Sequence, residues 1–248
     1  MTDLAERVLA GDPRAMARAI SLVEDETSEG AALVGELSSR PGHAYRVGVT
    51  GPPGAGKSTL VDRLAAALRP ESTVGILAVD PSSPFSGGAV LGDRLRMQSH
   101  SADEGVFIRS MATRGHLGGL AKATSAAAVI LDAAGKDFVL IETVGVGQAE
   151  IEIVRTADVS IVVLVPGAGD EVQALKAGIM EIADIFVVNK ADRDGADRVV
   201  SAIESNLSLD AFAPGEWRPP ILKTVATTGA GIPELVAAVR AFRAQAAP

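Results

Sequence analysis

Gly51-Pro52-Pro53-Gly54-Ala55-Gly56-Lys57-Ser58-Thr59 is the stretch from which the fold of this chain follows. Gly51 and Gly56 are followed by Lys57 and a hydroxyl residue at the spacing of a phosphate loop. Upstream, Tyr45-Arg46-Val47-Gly48-Val49-Thr50 reads as a short buried strand, and downstream Leu60 to Leu68 has helical spacing, so the loop joins a strand to a helix. Glycines let successive backbone N–H groups turn inward around a phosphate, and a helix N-terminus adds its partial positive charge. In such a loop Lys57 reaches the β- and γ-phosphates and the Ser58 hydroxyl ligates Mg²⁺, with Pro52, Pro53, Gly54, Ala55 and Thr59 completing the cradle.

Around this stretch, aliphatic runs near 45–50, 74–79, 105–109, 138–142, 159–165, 184–189 and 221–225 alternate with helical patterns at 119–134, 196–207 and from Ile232 onward. The alternation predicts an α/β fold of the P-loop NTPase type, a mainly parallel sheet with helices on both faces. Ahead of it, helices are expected over 2–10, 13–25 and about 29–37, with Asp12 as a cap and Pro13 at the first helical position. Ser38-Ser39-Arg40-Pro41-Gly42 then breaks the pattern. The expected organisation is a short helical appendage over 1–42 and a P-loop domain over 43–248.

Composition narrows the class. Of 248 residues 47% are hydrophobic but only 3% aromatic, so the core must be built from Val, Ile, Leu and Ala. The absence of cysteine rules out disulfides and thiolate metal sites and agrees with a reducing compartment. A net charge of −8 without a Lys/Arg run argues against a nucleic-acid surface. The first ten residues lack the pattern of a signal peptide, and no apolar stretch reaches the roughly 18 residues of a membrane span. The expectation is a soluble cytoplasmic protein with neither nucleic-acid nor membrane partner.

Asn189-Lys190-Ala191-Asp192 follows the aliphatic strand Ile185-Phe186-Val187-Val188. A carboxylate at Asp192 offers the two acceptors that match the N1–H and N2–H₂ donors of guanine, a pair that adenine lacks. Asn189 is expected to brace the loop and the stem of Lys190 to cover the base. Val225-Ala226-Thr227 stands where a backbone N–H meets the guanine oxygen. GTP and GDP are therefore the expected ligands. Asp80, Asp93 and Glu142 occupy loops after strands on the phosphate side, where with Ser58 they would converge on Mg²⁺. The alternative for Asp93 is that it caps a surface helix. Gly145, in Glu142-Thr143-Val144-Gly145, is free to bond the γ-phosphate through its backbone. Val146 follows at the position where Ras-like proteins carry a water-orienting glutamine, so hydrolysis by the chain alone is expected to be slow. His43, His100 and His116 are not spaced as metal ligands.

These motifs together resemble the MeaB-type GTPases, the family that includes the human methylmalonic aciduria type A protein. The most specific matches are Val79-Asp80-Pro81-Ser82-Ser83-Pro84-Phe85 and Met111-Ala112-Thr113-Arg114-Gly115-His116-Leu117-Gly118-Gly119-Leu120, joined by Gly92-Asp93-Arg94 and Glu142-Thr143-Val144-Gly145-Val146-Gly147-Gln148. The resemblance implies a GTP-hydrolysing chaperone of an adenosylcobalamin-dependent acyl-CoA mutase, typically methylmalonyl-CoA mutase, that gates cofactor delivery and protects the mutase. An adenosyltransferase is a further possible partner. It also implies a switch over Gly167 to Lys176, in which Lys176, with Lys57 and Glu142, serves hydrolysis. Family members usually continue into a C-terminal arm used for dimerisation, whereas this sequence ends at Pro248, which leaves monomer and homodimer both open. Two alternatives keep the fold: a metal-insertion GTPase, disfavoured by the lack of cysteine, and a regulatory binding module whose nucleotide only changes its shape.

Overall fold

The computed structural model describes residues 2–40, 42–80, 100, 102–112, 117–143, 152, 154, 156–167 and 180–246. Its strands are β1 (Tyr45–Thr50), β2 (Val74–Asp80), β3 (Val106–Ala112), β4 (Phe138–Glu142), β5 (Val159–Leu164), β6 (Ile185–Asn189) and β7 (Ile221–Thr224). They form a seven-stranded sheet in the order β3-β2-β4-β1-β5-β6-β7. The registered pairs β2 with β3, β2 with β4, β5 with β6 and β6 with β7 are all parallel. Every residue of β4, β5 and β6 is buried, the pattern of strands covered on both faces.

By compactness the chain divides into two units, Met1–Val47 with Leu68–Glu142 and Gly48–Ala67 with Thr143–Pro248. The first unit holds α1 (Asp3–Leu9), α2 (Pro13–Glu24), α3 (Ser28–Ser38) and α5 (Leu117–Ala133). As expected from the sequence, Asp12 caps α2, its Oδ1 accepting from the Arg14 N–H at 2.8 Å, and Pro13 opens the helix. The face Met16, Ala19, Ile20 and Val23 is buried, and α2 packs along α5. Arg109 of β3 points at α2, where its guanidinium pairs with Glu24 and donates to the Ser21 Oγ at 3.0 Å. This pair lets a strand run through polar residues. β3 accordingly extends to Ala112, three residues beyond the apolar run that the sequence alone marks.

The second unit holds α4 (Lys57–Leu68) up to Ala67, α6 (Ala196–Leu207) and α7 (Ile232–Ala246). Ala196, Val199, Ile203 and Leu207 recur at helical spacing and bury one face of α6 against Val162, Leu164, Phe186 and Val188. α7 buries Ile232, Leu235 and Val239, while Phe242 stacks edge-on against Trp217 at 5.0 Å between ring centroids. The Trp217 Nε1–H donates to the Asp184 carbonyl at 2.7 Å, which fixes the segment before β7.

Asp184 is half-buried ahead of β6, and burial pushes its carboxyl pKa up even though its Oδ2 accepts from the Ser160 N–H at 2.7 Å. A carboxyl raised in the folded state contributes stability at low pH that is lost as pH rises through its folded value. Asp184→Asn keeps the acceptor and removes the ionisation. Its melting temperature relative to wild type should therefore rise between pH 3.5 and pH 7.5; a constant difference across that range would contradict the assignment.

Candidate nucleotide site

β1 delivers Thr50, fully buried, to the start of the 51–56 loop. Gly51 sits at φ +150°, and a Cβ there would lie 2.1 Å from the Val163 carbonyl oxygen, so the chain can turn only without a side chain. Gly56, at φ +89°, faces the Asn189 amide so closely that a Cβ would come within 2.5 Å of its nitrogen. The helix N-terminus begins at Lys57, and Leu60 donates to the Gly56 carbonyl at 2.9 Å to close the first turn. Lys57 and Ser58 are only 6% and 7% exposed, and the Lys57 ammonium is held by the Gly51 and Pro52 carbonyls at 2.9 and 3.1 Å. A cation, a hydroxyl and a helix N-terminus thus share one small surface.

Asn189 ends β6 and is 2% exposed. Its Nδ2 donates to the Ala55 carbonyl at 2.8 Å, and its Oδ1 accepts from the Thr224 hydroxyl and the Ala226 N–H, both at 3.1 Å. One side chain therefore ties the phosphate loop to the end of β7. Lys190 adopts φ +57°, and its ammonium reaches back to the Gly54 carbonyl at 2.7 Å. Ala191 donates to the carbonyl of Thr224, the residue just ahead of the 225–230 turn, at 3.0 Å, and Asp192 is exposed. That turn is closed by the Val225–Ala230 bridge.

Glu142 and Asp80 belong to the first unit, where they stand at the carboxyl ends of the adjacent strands β4 and β2. The register sets Glu142 opposite Ala78 and Asp80 opposite Ala112. Glu142 is 5% exposed, while the side chain of Asp80 lies outside the described residues, as do Asp93, Gly145, Val146 and Lys176. Thr143 belongs to the second unit: its N–H donates to the Val49 carbonyl at 3.0 Å and its hydroxyl to that of Thr50 at 2.9 Å. Among the described residues no cluster of three or more His, Asp and Glu side chains is arranged to hold a metal ion. The donor set nevertheless suits a nucleotide phosphate with a hard divalent cation. Gly54 has open space on its Cβ side, the Lys57 cation is in the loop, and the Ser58 hydroxyl is an oxygen ligand of the type Mg²⁺ takes.

Three contributors were not apparent from the sequence. Thr224 holds Asn189 from a separation of 35 residues, Thr143 meets Thr50 from 93, and Arg63 of α4 binds the Ala226 carbonyl from 163. None carries a local signal. Each is an ordinary polar residue whose partner is distant along the chain.

A phosphate loop between a buried strand and a helix, in a parallel seven-stranded sheet and buttressed by an Asn-Lys-x-Asp turn, defines a P-loop GTPase. The chain belongs to the family described as methylmalonyl-CoA mutase-associated GTPase MeaB, whose profile matches residues 16–247. It is 57% identical over 238 residues to a candidate GTPase of Pyrococcus horikoshii, covering 94% of this chain and 74% of that one. It is 39% identical over 251 residues to the GTPase ArgK of Escherichia coli K12, covering 98% and 76%. Among solved structures, one described as an LAO/AO transport system kinase superposes with a TM-score of 0.77 at 31% identity over 98% of this chain and 74% of its own. The hydrogenase maturation factor HypB of Archaeoglobus fulgidus, at 17% identity and a TM-score of 0.57 over 96% of this chain and 98% of its own, shares the fold.

Proposed function

We propose that this chain is a GTP-driven chaperone of an adenosylcobalamin-dependent acyl-CoA mutase, methylmalonyl-CoA mutase in the first instance, which gates cofactor loading and protects the mutase from inactivation. The observation that carries the reading is the family match across residues 16–247. It is supported by a mouse relative described as a mitochondrial methylmalonic aciduria type A homolog, 42% identical over 205 residues that cover 81% of this chain and 49% of that protein.

In this reading Asp192 accepts from guanine N1–H and N2–H₂, Asn189 and Lys190 hold the base turn against the phosphate loop, and Lys57 neutralises charge on the β- and γ-phosphates. Ser58, Asp80, Asp93 and Glu142 would hold Mg²⁺. That ion, when bound, supplies charge neutralisation at the phosphates. Gly145 would bond the γ-phosphate through its backbone. Val146, an apolar side chain, cannot orient water, so basal hydrolysis is slow. A mutase that orders residues 167–176 over the phosphates would complete the site, with Lys176 as the coupling residue.

The test is steady-state phosphate release with increasing mutase. Groups supplied in trans to other GTPases are worth about 10³–10⁵ in rate, so even partial completion should give a rise of at least about tenfold. Lys176→Ala should lose most of the stimulated rate while keeping basal turnover. A wild-type rate that stays flat at saturating mutase would reject the proposal, and equal stimulation of both proteins would reject the part given to Lys176.

A further inference from the structure

The turn that follows β7 has six backbone N–H groups from Val225 to Ala230, and five have partners. Val225 donates to the Ala230 carbonyl, Ala226 to the Asn189 Oδ1, Thr228 and Gly229 to the Val225 carbonyl, and Ala230 to the Thr228 hydroxyl. Thr227 is exposed, and among the described residues its N–H is the one in this turn that donates to no protein group. The turn thus offers one donor to a ligand.

The direction of that donor is set from outside the turn. Arg63 projects from α4, six residues beyond Lys57, and its Nε donates to the Ala226 carbonyl at 3.1 Å while its Nη2 donates to the Thr227 carbonyl at 3.0 Å. The Ala226 carbonyl and the Thr227 N–H belong to the same peptide plane. No peptide bond among the described residues is cis, so the two groups point in opposite directions. Holding the oxygen on Arg63 therefore aims the N–H away from α4. The fork of the guanidinium grips two successive carbonyls, which fixes the plane against rotation in a way that a single donor cannot.

From this geometry we infer that Arg63 is a specificity-positioning residue: it orients the Thr227 N–H as the donor that recognises the O6 carbonyl of guanine. The inference rests on the guanine reading of Asp192 and of the 225–227 backbone, and adds Arg63 as the residue that fixes the donor for O6, next to the N1–H that Asp192 reads. Because Arg63 shares a helix with Lys57, phosphate binding and base selection act on one rigid element. An amino group at the purine 6-position would meet a donor facing a donor, so this peptide also rejects adenine.

The test measures Kd by titration calorimetry for GDP, inosine diphosphate and 2,6-diaminopurine riboside diphosphate. The first two carry O6, and the third carries an amino group in its place. Arg63→Met keeps the aliphatic stem and removes the donors. It should weaken GDP and inosine diphosphate together by about three- to tenfold, the worth of one neutral hydrogen bond, and leave the diaminopurine nucleotide within about twofold of wild type. Arg63→Lys, with one cationic donor in place of the fork, should fall between. Equal loss for all three nucleotides would reduce Arg63 to a structural role and overturn the inference, as would an unchanged GDP affinity. If Arg63→Met melts well below wild type without nucleotide, the same affinity ratio in Arg63→Lys decides. The underlying reading fails separately: Asp192→Asn should weaken GDP more than inosine diphosphate, which lacks the 2-amino group. Wild type binding GDP and the diaminopurine nucleotide equally would overturn both.

Discussion

GTP turnover by Lys57→Ala should fall about 10²–10³-fold or more, to the background of a phosphate-release assay, because the substitution removes the one side-chain cation of the phosphate loop. Lys57 is 6% exposed and its ammonium is already oriented by two carbonyls of its own loop, so no reorganisation is needed when charge develops on a transferring phosphoryl group. Preorganised charge in such a water-poor pocket is worth far more than in bulk water, and loss of one well-placed donor elsewhere costs 10²–10³ in rate. Gly51 and Gly56 keep the backbone turn without the lysine, so the variant should remain folded and retain its far-ultraviolet circular dichroism. Turnover within tenfold of wild type would place the chemistry elsewhere.

Asn189→Ala should cost about 3 kcal/mol of stability and about a hundredfold in GDP affinity, since three hydrogen bonds of a buried side chain are lost at once. The Ala55 carbonyl and the Ala226 N–H lose a partner that an alanine cannot replace. An orphaned buried group costs roughly 1–3 kcal/mol by itself. Asn189→Asp is the sharper variant. It keeps an acceptor for Thr224 and Ala226 but turns a carboxylate oxygen toward the Ala55 carbonyl, so it should bind GDP no better than the alanine variant. Urea unfolding and nucleotide titration read the two effects independently. Wild-type values in both assays for Asn189→Ala would mean that the bridge carries neither stability nor binding.

Much of the fold was legible because most strands of the sheet are written in largely apolar runs. Phe138-Val139-Leu140-Ile141 and Val159-Ser160-Ile161-Val162-Val163-Leu164 are buried throughout, and no periodicity argument is needed to read them as strands covered on both faces. β3 is the contrast. Its second half, Arg109-Ser110-Met111-Ala112, continues as strand in register with Leu77 to Asp80 because Arg109 finds Glu24 and Ser21 on α2. That compensation lies 85 residues away and leaves no local trace. The start of α4 is similar: Lys57, Ser58 and Thr59 precede the apolar spacing, yet the Gly56 carbonyl already accepts from Leu60.

At the site, residue types were easier to read than their partners. The hydrogen-bond inventory of Asn189-Lys190-Ala191-Asp192 marks a base-reading turn from composition alone, whereas Thr224, Thr143 and Arg63 act through contacts that only the folded chain creates. Asp93 and Gly145, which motif position marks, and Lys176, which the family resemblance implies, lie outside the described residues.

The close approach of Gly56 to the Asn189 amide ties the fates of two positions that lie 133 residues apart in the chain. Any methyl group at 56 collides with the amide, so the penalty of Gly56→Ala depends on which residue occupies position 189. In a library of double substitutions the two losses should sum to less than their separate values, because shortening the side chain at 189 removes the collision while the strain of φ +89° persists. Drift at either site is then conditional on the other, and the pair behaves as one epistatic unit of inheritance.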